Sequence, residues 1–207
     1  MTDQATLAGL QPGVDLRTAF SRVCGDTDIN DAPNSVSLDW IESPVGPLLA
    51  GATSEAVVLL EFSERKILEE QLETVHRRLK SPIIPRNNRL LDELRTQLRE
   101  YFERRRRDFD LPLAYPGTAF QEKVWSALLR IPYGETRSYL HLARSIGDAK
   151  ATRAVGTANG MNRIAIIIPC HRVINSNGEL GGYGGGLWRK RILLDLEGGQ
   201  EQLIVDS

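Results

Sequence analysis

The spacing of hydrophobic and polar residues divides the chain into predicted strands and helices. Residues 1–35 are rich in Asp, Asn, Gly and Pro and contain one amphipathic helix candidate at 16–23. Three short apolar segments follow, at 36–42, 47–53 and 56–62, and turn residues separate them. This pattern predicts a small antiparallel meander.

Two helices are predicted after the meander, because apolar residues then recur every three to four positions over 64–80 and 88–107. Such helices can cover one face of a small sheet. The arginine run at 104–107 lies at the predicted end of the second helix, where cations complement the helix dipole, so a structural role is favoured over nucleic-acid binding. Residues 109–113 could add a strand, and 114–117 form the best linker candidate.

Beyond the linker the pattern is helical. Thr118 is a suitable N-cap for a helix that ends at the Pro-Tyr-Gly sequence at 132–134. Ser138 can cap a helix over 139–146, and a tight turn at 148–150 leads to another helix over 151–159. Helix, short turn and helix form the helix-turn-helix outline.

The second helix of this pair has short side chains almost throughout, with Arg153 as its single arginine. Readers of the major groove normally present several long polar side chains, so this helix is poorly suited to that task. A slim helix suits close approach to the minor groove, where one arginine could enter the base stack. Tight packing against a neighbouring helix explains the composition equally well, and both interpretations stay open.

Composition indicates a globular protein: 207 residues with 41% hydrophobic content, sufficient for an ordinary core. No apolar run is long enough to span a membrane and no signal peptide is evident, so a cytoplasmic protein is expected. The net charge of −1 argues against a general nucleic-acid coat protein. Residues 1–114 have 15 Lys and Arg against 19 Asp and Glu, whereas residues 115–207 have 11 against 8. The second part is the basic one, which weakly favours an anionic partner.

The two cysteines, Cys24 and Cys170, are too far apart in sequence to suggest a disulfide framework or a four-cysteine zinc site. No metal site is therefore expected. Cys170 is followed by His171 and Arg172 at the end of a run of three isoleucines, which predicts a strand that leaves the core at Pro169. A thiol becomes a nucleophile when nearby groups favour the thiolate. An adjacent histidine points away in an extended chain, however, so a small core cysteine is the alternative.

Several motifs lie around Cys170. Tyr139 opens the helix before them, and the sequences are Arg-Ala-Val-Gly at 153–156, Pro-Cys-His-Arg-Val at 169–173, Gly-Tyr at 182–183 and Leu-Asp-Leu-Glu-Gly at 194–198. Together they resemble the motifs of the O6-alkylguanine-DNA alkyltransferases, also called methylated-DNA–protein-cysteine methyltransferases. Within residues 115–207 the motifs recur in the family's order and spacing from the cysteine; over 36–114 only the layout matches.

The resemblance implies an α+β fold. A ribonuclease H-like N-terminal domain, with a small antiparallel sheet and helices, would occupy residues 36–114. A mostly helical domain with the helix-turn-helix would occupy 115–207, and residues 1–35 would be an extension.

The resemblance also implies a direct and irreversible transfer of the alkyl group from O6-alkylguanine, and from O4-alkylthymine, in duplex DNA to Cys170, with no cofactor. His171 would deprotonate the thiol through a water molecule, and Glu197 would orient His171. Tyr139 would donate to the leaving base, and Asn162 would stabilise the turn before the active site. A bridging water would let His171 act on Cys170 although the two side chains point apart, which removes the geometric objection. Glu197 would be the distant partner that a catalytic triad requires.

Further roles follow from the same resemblance. Arg153 would replace the flipped base in the stack, in the minor groove, and the other DNA-contacting residues would be Tyr139, Ala154, Thr157 and Thr118. Val173, Tyr183 and Gly184 would line the base pocket. We expect a monomer, with cooperative binding along DNA left open. The competing functions are a lesion-binding module without catalysis and a thiol hydrolase that uses Cys170 and His171.

Overall fold

A computed structural model describes residues 35–198, which divide into two compact units. The first unit contains residues 35–100 and 110–116, and the second contains residues 101–109 and 117–198. The helix candidate at 16–23 and Cys24 lie outside the described residues. The domain bounds of 36–114 and 115–207 stay predictions.

The first unit is built on a four-stranded sheet with the strand order β3-β2-β1-β4. The predicted meander is confirmed as three antiparallel strands: β1 (Val36–Ile41), β2 (Leu48–Ala52) and β3 (Val57–Phe62). The short strand β4 (Ile83–Pro85), which the sequence pattern did not reveal, pairs in parallel with β1. The expected strand at 109–113 is reduced to one bridge between Val57 and Leu113. Pro112 cannot donate a ladder hydrogen bond there.

Two helices belong mainly to this unit, α1 (Leu68–Leu79) and α2 (Arg89–Phe102), and both are shorter than predicted. Leu68, Leu72 and Val75 of α1 pack into one buried cluster with strand residues of the sheet. The helix α2 ends before the arginine run, and Arg104 has a left-handed φ of 58°. The expectation that the run forms the end of a helix is therefore wrong.

The second unit contains the predicted helix-turn-helix. The helix α3 (Ala119–Leu128) begins with a capping box in which Thr118 accepts from Gln121 N–H, as its sequence predicts. The helix α4 (Tyr139–Ser145) is capped by Ser138, a 3-10 turn follows at Ala149–Ala151, and α5 (Thr152–Gly160) completes the pair. The helix α6 (Leu187–Gly198) follows later in the chain.

Two very short strands, β5 (Arg137–Ser138) and β6 (Val173–Ile174), pair in parallel inside the second unit. Trp125 of α3 is fully buried, and its Nε1–H donates to Ala158 O of α5 at 2.8 Å. This contact joins the first helix of the unit to the second helix of the helix-turn-helix. Throughout residues 35–198, every helix is too short or too polar to span a bilayer.

Candidate active site

Cys170 lies in a buried turn. It begins the 3-10 helix Cys170–Arg172, and only 6% of its surface is exposed. Its backbone N–H donates to Ile168 O at 2.8 Å, and its Sγ accepts a hydrogen bond from Asn162 Nδ2 at 3.1 Å. This hydrogen bond places a donor directly on the sulfur.

The predicted strand through Ile166, Ile167 and Ile168 is wrong. Ile166 has a φ of 71°, and Ile167 N–H donates back to Ala165 O at 2.8 Å, which closes a three-residue turn. This left-handed conformation costs a β-branched residue about 1–3 kcal/mol, so the surroundings must impose it. The three isoleucines, Cys170 and His171 are all buried, so the chain does not leave the core at Pro169 either.

Asn162 supplies the hydrogen bonds that a strand ladder would otherwise provide in this segment. Its Nδ2 donates to Ile168 O at 2.8 Å as well as to the cysteine sulfur, and its Oδ1 accepts from Ile164 N–H at 3.1 Å. The residue is only 1% exposed. The structure therefore puts Asn162 at the centre of the turn that presents Cys170.

His171 and Glu197 form a buried pair directly beside the cysteine. His171 Nε2 lies 2.9 Å from Glu197 Oε1, and both side chains are almost completely shielded from solvent. A carboxylate only accepts, so Nε2 carries the proton and Nδ1 presents a lone pair. Among residues 35–198, no group bonds to that buried Nδ1. It is therefore available to accept a proton.

Burial keeps the His171 imidazole neutral, and neighbouring groups keep the Glu197 carboxyl ionised. Burial lowers the pKa of His171, and Arg172 and Lys190 add to that effect, while Glu197 opposes it. Burial alone would raise the pKa of Glu197, but His171 and Arg172 hold it well below its usual range. The resting pair is thus a neutral base beside a fixed negative charge.

Arg172 and Tyr101 complete the surroundings of Glu197. Arg172 Nε donates to Oε2 at 2.7 Å and Nη2 donates to Oε1 at 2.9 Å, while its Nη1 donates to Ile131 O at 2.6 Å. The Tyr101 hydroxyl donates to Oε1 at 2.7 Å. Gly134 N–H lies 3.4 Å from Oε2. Both carboxylate oxygens are therefore held by several donors.

A loop rich in glycine lies next to Tyr139, which begins α4. The Tyr139 hydroxyl donates to Gly182 O at 3.3 Å, and its ring lies close to Gly181, which has a φ of +64°. Burial raises the pKa of Tyr139, and the neighbouring Cys170 raises it further, so the phenol stays protonated.

Lys190 of α6 holds this loop through hydrogen bonds to backbone oxygens. It is fully buried, and its Nζ donates to Val173 O at 2.6 Å and to Leu180 O. Burial lowers the pKa of Lys190 to about 8, while Cys170 opposes that change. Of the predicted pocket residues, Val173 is buried, Tyr183 is half-buried and Gly184 is exposed.

Most of the predicted DNA-contacting residues are exposed, whereas Tyr139 is half-buried. Arg153, Ala154 and Thr157 lie on the solvent side of α5, whereas Val155, Ala158 and Asn159 of the same helix are buried. Thr118 is exposed at the start of α3, where its hydroxyl serves as the N-cap. One face of α5 therefore packs inward, as the packing interpretation predicts, and the other face is open to solvent. The approach of this helix to the minor groove stays a prediction.

Sequence reasoning missed three residues of this site. Arg172 was considered only as a cation beside Cys170, whereas its guanidinium donates to Glu197. Tyr101 fits the apolar spacing of the predicted helix at 88–107, and nothing in the local sequence indicates a partner for its hydroxyl. Lys190 offers no sequence signal, because a lysine is rarely expected to be fully buried.

Two family models match the chain. Residues 119–199 match the model described as 6-O-methylguanine DNA methyltransferase, DNA binding domain. Residues 38–115 match the one described as 6-O-methylguanine DNA methyltransferase, ribonuclease-like domain.

Individual relatives agree with these matches. A methylated-DNA–protein-cysteine methyltransferase of Methanosarcina barkeri is 47% identical over 160 residues, which cover 77% of this chain and 95% of the relative. The protein of the same name from Mycobacterium bovis is 49% identical over 158 residues, covering 76% and 89%.

Solved structures give the same result. The crystal structure of Mycobacterium tuberculosis O6-methylguanine methyltransferase matches with a TM-score of 0.68 and 43% identity, covering 80% of this chain and 94% of that one. The same organism's protein in complex with DNA also matches with a TM-score of 0.68, covering 81% and 96%.

Proposed function

The chain belongs to the 6-O-methylguanine DNA methyltransferase family, and we propose that Cys170 is the residue to which it transfers the alkyl group. It is a methylated-DNA–protein-cysteine methyltransferase that repairs O6-methylguanine, and its partner is DNA. The observation that supports this assignment of Cys170 is the buried His171–Glu197 hydrogen bond directly beside it.

The proposed transfer begins with proton removal from the thiol. The lone pair on His171 Nδ1 accepts the Cys170 proton through a bridging water, and the imidazolium that forms is stabilised by Glu197. The thiolate attacks the alkyl carbon, a carbon–sulfur bond forms, and the carbon–oxygen bond to the guanine breaks with its electrons left on the base. The relay needs a neutral histidine at rest, which is the state that burial favours.

The departing base needs a proton or hydrogen-bond donors, and Tyr139 is the proposed source. Its phenol stays protonated because burial and Cys170 both raise its pKa. A donor aimed at developing negative charge lowers the barrier of such a displacement. The product is a thioether, which has no route back to a thiol, so each protein molecule reacts once.

Access to the lesion would require the damaged base to leave the duplex. Arg153 is exposed on α5 and can fill the vacancy in the base stack from the minor groove, with Ala154, Thr157, Tyr139 and Thr118 near the backbone. The flipped base would enter a pocket lined by Val173, Tyr183 and Gly184. Acceptance of O4-alkylthymine, a monomeric state and a cytoplasmic location stay predictions.

Mass spectrometry after incubation with duplex DNA containing O6-methylguanine tests this assignment. We expect one added methyl group on the peptide that contains Cys170, in an amount that never exceeds the amount of protein. Cys170→Ser serves as the control and should gain none. Unmodified wild-type protein that still binds this DNA would leave only a lesion-binding module, and repeated turnover of an ester would favour a hydrolase.

Arg153→Ala tests the role of Arg153 in base flipping. We expect the repair rate on duplex DNA to fall about tenfold, because filling the vacancy offsets part of a flipping cost of a few kcal/mol. The reaction with the free alkylated base should be unchanged. Arg144→Ala, which removes an exposed arginine from α4, is the matched control for loss of charge alone. Equal losses on duplex and free base would contradict the role.

A further inference from the structure

The Tyr101 hydroxyl contacts the oxygen of Glu197 that also bonds His171. Tyr101 is completely buried, and its hydroxyl lies 2.7 Å from Glu197 Oε1. His171 Nε2 and Arg172 Nη2 each lie 2.9 Å from the same oxygen. Three donors therefore share one atom, and a change in any of them alters the oxygen that the other two contact.

A buried phenol can satisfy its hydroxyl with any carbonyl oxygen, and Tyr133 shows that alternative nearby. The Tyr133 hydroxyl donates to the backbone oxygen of Leu196 at 3.2 Å and not to the Glu197 carboxylate. The two tyrosine rings lie edge to face, with centroids 6.1 Å apart. Tyr133 is half-buried and Tyr101 is fully buried, and of these two neighbouring tyrosines only Tyr101 bonds to Glu197.

We propose that Tyr101 is a positioning residue for the transfer reaction, one that fixes the Glu197 carboxylate and weakens its pull on the His171 N–H. This inference rests on the proposed relay through His171. The phenol acts in two ways. It orients Oε1 toward the imidazole, and by withdrawing electron density from that oxygen it prevents Glu197 from stabilising the imidazolium too strongly before the substrate arrives.

The groups that face this pair come from each element packed around it. Arg172 of the 3-10 helix and Lys190 of α6 disfavour a charged His171, whereas Glu197 of α6 favours it. Tyr101, Tyr133 and the Gly134 N–H face the carboxylate, and Arg104 and Arg107 face Tyr133. Burial raises the pKa of Tyr101 well above its usual value, and Glu197 adds to this, so the phenol stays a donor.

Tyr101→Phe tests the inference in the full chain, with Tyr133→Phe as the matched loss of a hydroxyl that does not bond to the carboxylate. Without the phenol, Glu197 attracts the His171 proton more strongly, so the His171 pKa should rise by about 0.5 to 1 unit. Since the relay needs neutral His171, the acid limb of the rate profile for methyl transfer should move to higher pH by the same amount. NMR titration of the His171 ring measures its pKa directly. In Tyr133→Phe, both the His171 pKa and the midpoint of the acid limb should stay unchanged.

Incorporation of 3-fluorotyrosine at position 101 should shift the His171 pKa in the opposite direction. This second variant keeps the inference testable if Tyr101→Phe folds poorly. Fluorination makes the phenol a stronger donor, so the His171 pKa should fall by a few tenths of a unit. Midpoints that do not move in either variant, or that move equally in Tyr133→Phe, would overturn the inference. If wild-type protein transfers no methyl group, the proposed function fails, while the NMR titration still decides the role of Tyr101.

Discussion

Replacing Glu197 with glutamine should lower the free energy of unfolding by about 3 to 5 kcal/mol, because it leaves the buried Arg172 without a counter-charge. Arg172 is only 8% exposed in its side chain and donates twice to the Glu197 carboxylate. Methyl transfer should slow by about a hundredfold or more, since the imidazolium that forms during the reaction loses its negative partner. Stability and rate thus depend on the same carboxylate.

Urea unfolding and single-turnover rates measure both effects. Asp195→Asn is the matched control, because it removes an exposed carboxylate two residues earlier on α6. It should change the free energy of unfolding by less than about 0.5 kcal/mol. Similar losses in the two variants would show that general helix charge, and not the bond to Arg172, explains the result.

The stabilisation by Glu197 should depend on pH in a definite direction. The folded state holds the pKa of Glu197 well below its usual value of 4.5, so the unfolded state binds the proton more readily. The stability that Glu197 contributes is therefore fully present above about pH 4.5 and is lost as the pH falls toward the folded value. The difference in free energy of unfolding between wild type and Glu197→Gln should therefore become smaller as the pH falls. A difference in free energy of unfolding that stays constant from neutral to acidic pH would contradict this role of Glu197.

Asn162→Ala is expected to have the second largest effect. It would leave Ile164 N–H without its side-chain acceptor and remove one donor from Ile168 O, all inside the core. Buried groups left without partners cost about 1 to 3 kcal/mol each, so the free energy of unfolding should fall by about 2 to 4 kcal/mol. The turn at Ile166 would lose its main support and Cys170 its sulfur donor, so methyl transfer should also slow markedly.

Asn159→Ala is the control for this loss. Asn159 is also a buried asparagine, but its Nδ2 makes one long contact of 3.4 Å to Cys170 O, and within residues 35–198 its Oδ1 has no hydrogen-bond partner. Its replacement should destabilise the protein much less. Chemical denaturation of both variants, together with single-turnover rates, compares them. Equal losses of stability in Asn159→Ala and Asn162→Ala would show that the number of hydrogen bonds lost does not explain the effect.

Local signals predicted much of the fold because their physical causes are local. Thr118 and Ser138 cap their helices as expected, since a side-chain oxygen two to three residues ahead of exposed N–H groups is sufficient. The meander followed from short apolar segments with turns between them. The strand β4 was missed, because only three residues pair there and their partner strand lies far away in sequence.

The turn at Ile166 shows where local propensity fails. Three isoleucines favour an extended chain, yet Asn162 supplies bonds that make a tight turn more stable. The pairing of His171 with Glu197 was predicted only from the family resemblance, since spacing alone does not identify a partner 26 residues away. The contact from Tyr101 spans 96 residues and left no pattern in the sequence at all.

The second unit is assembled from two separated stretches of chain, because residues 101–109 group with 117–198. A fragment that starts at residue 117 would contain Cys170, His171 and Glu197 but would lack the phenol that Glu197 accepts from. A minimal version of the protein would need the 101–109 stretch grafted back. During synthesis, the hydrogen bond between Tyr101 and Glu197 can form only after residue 197 has been added to the chain.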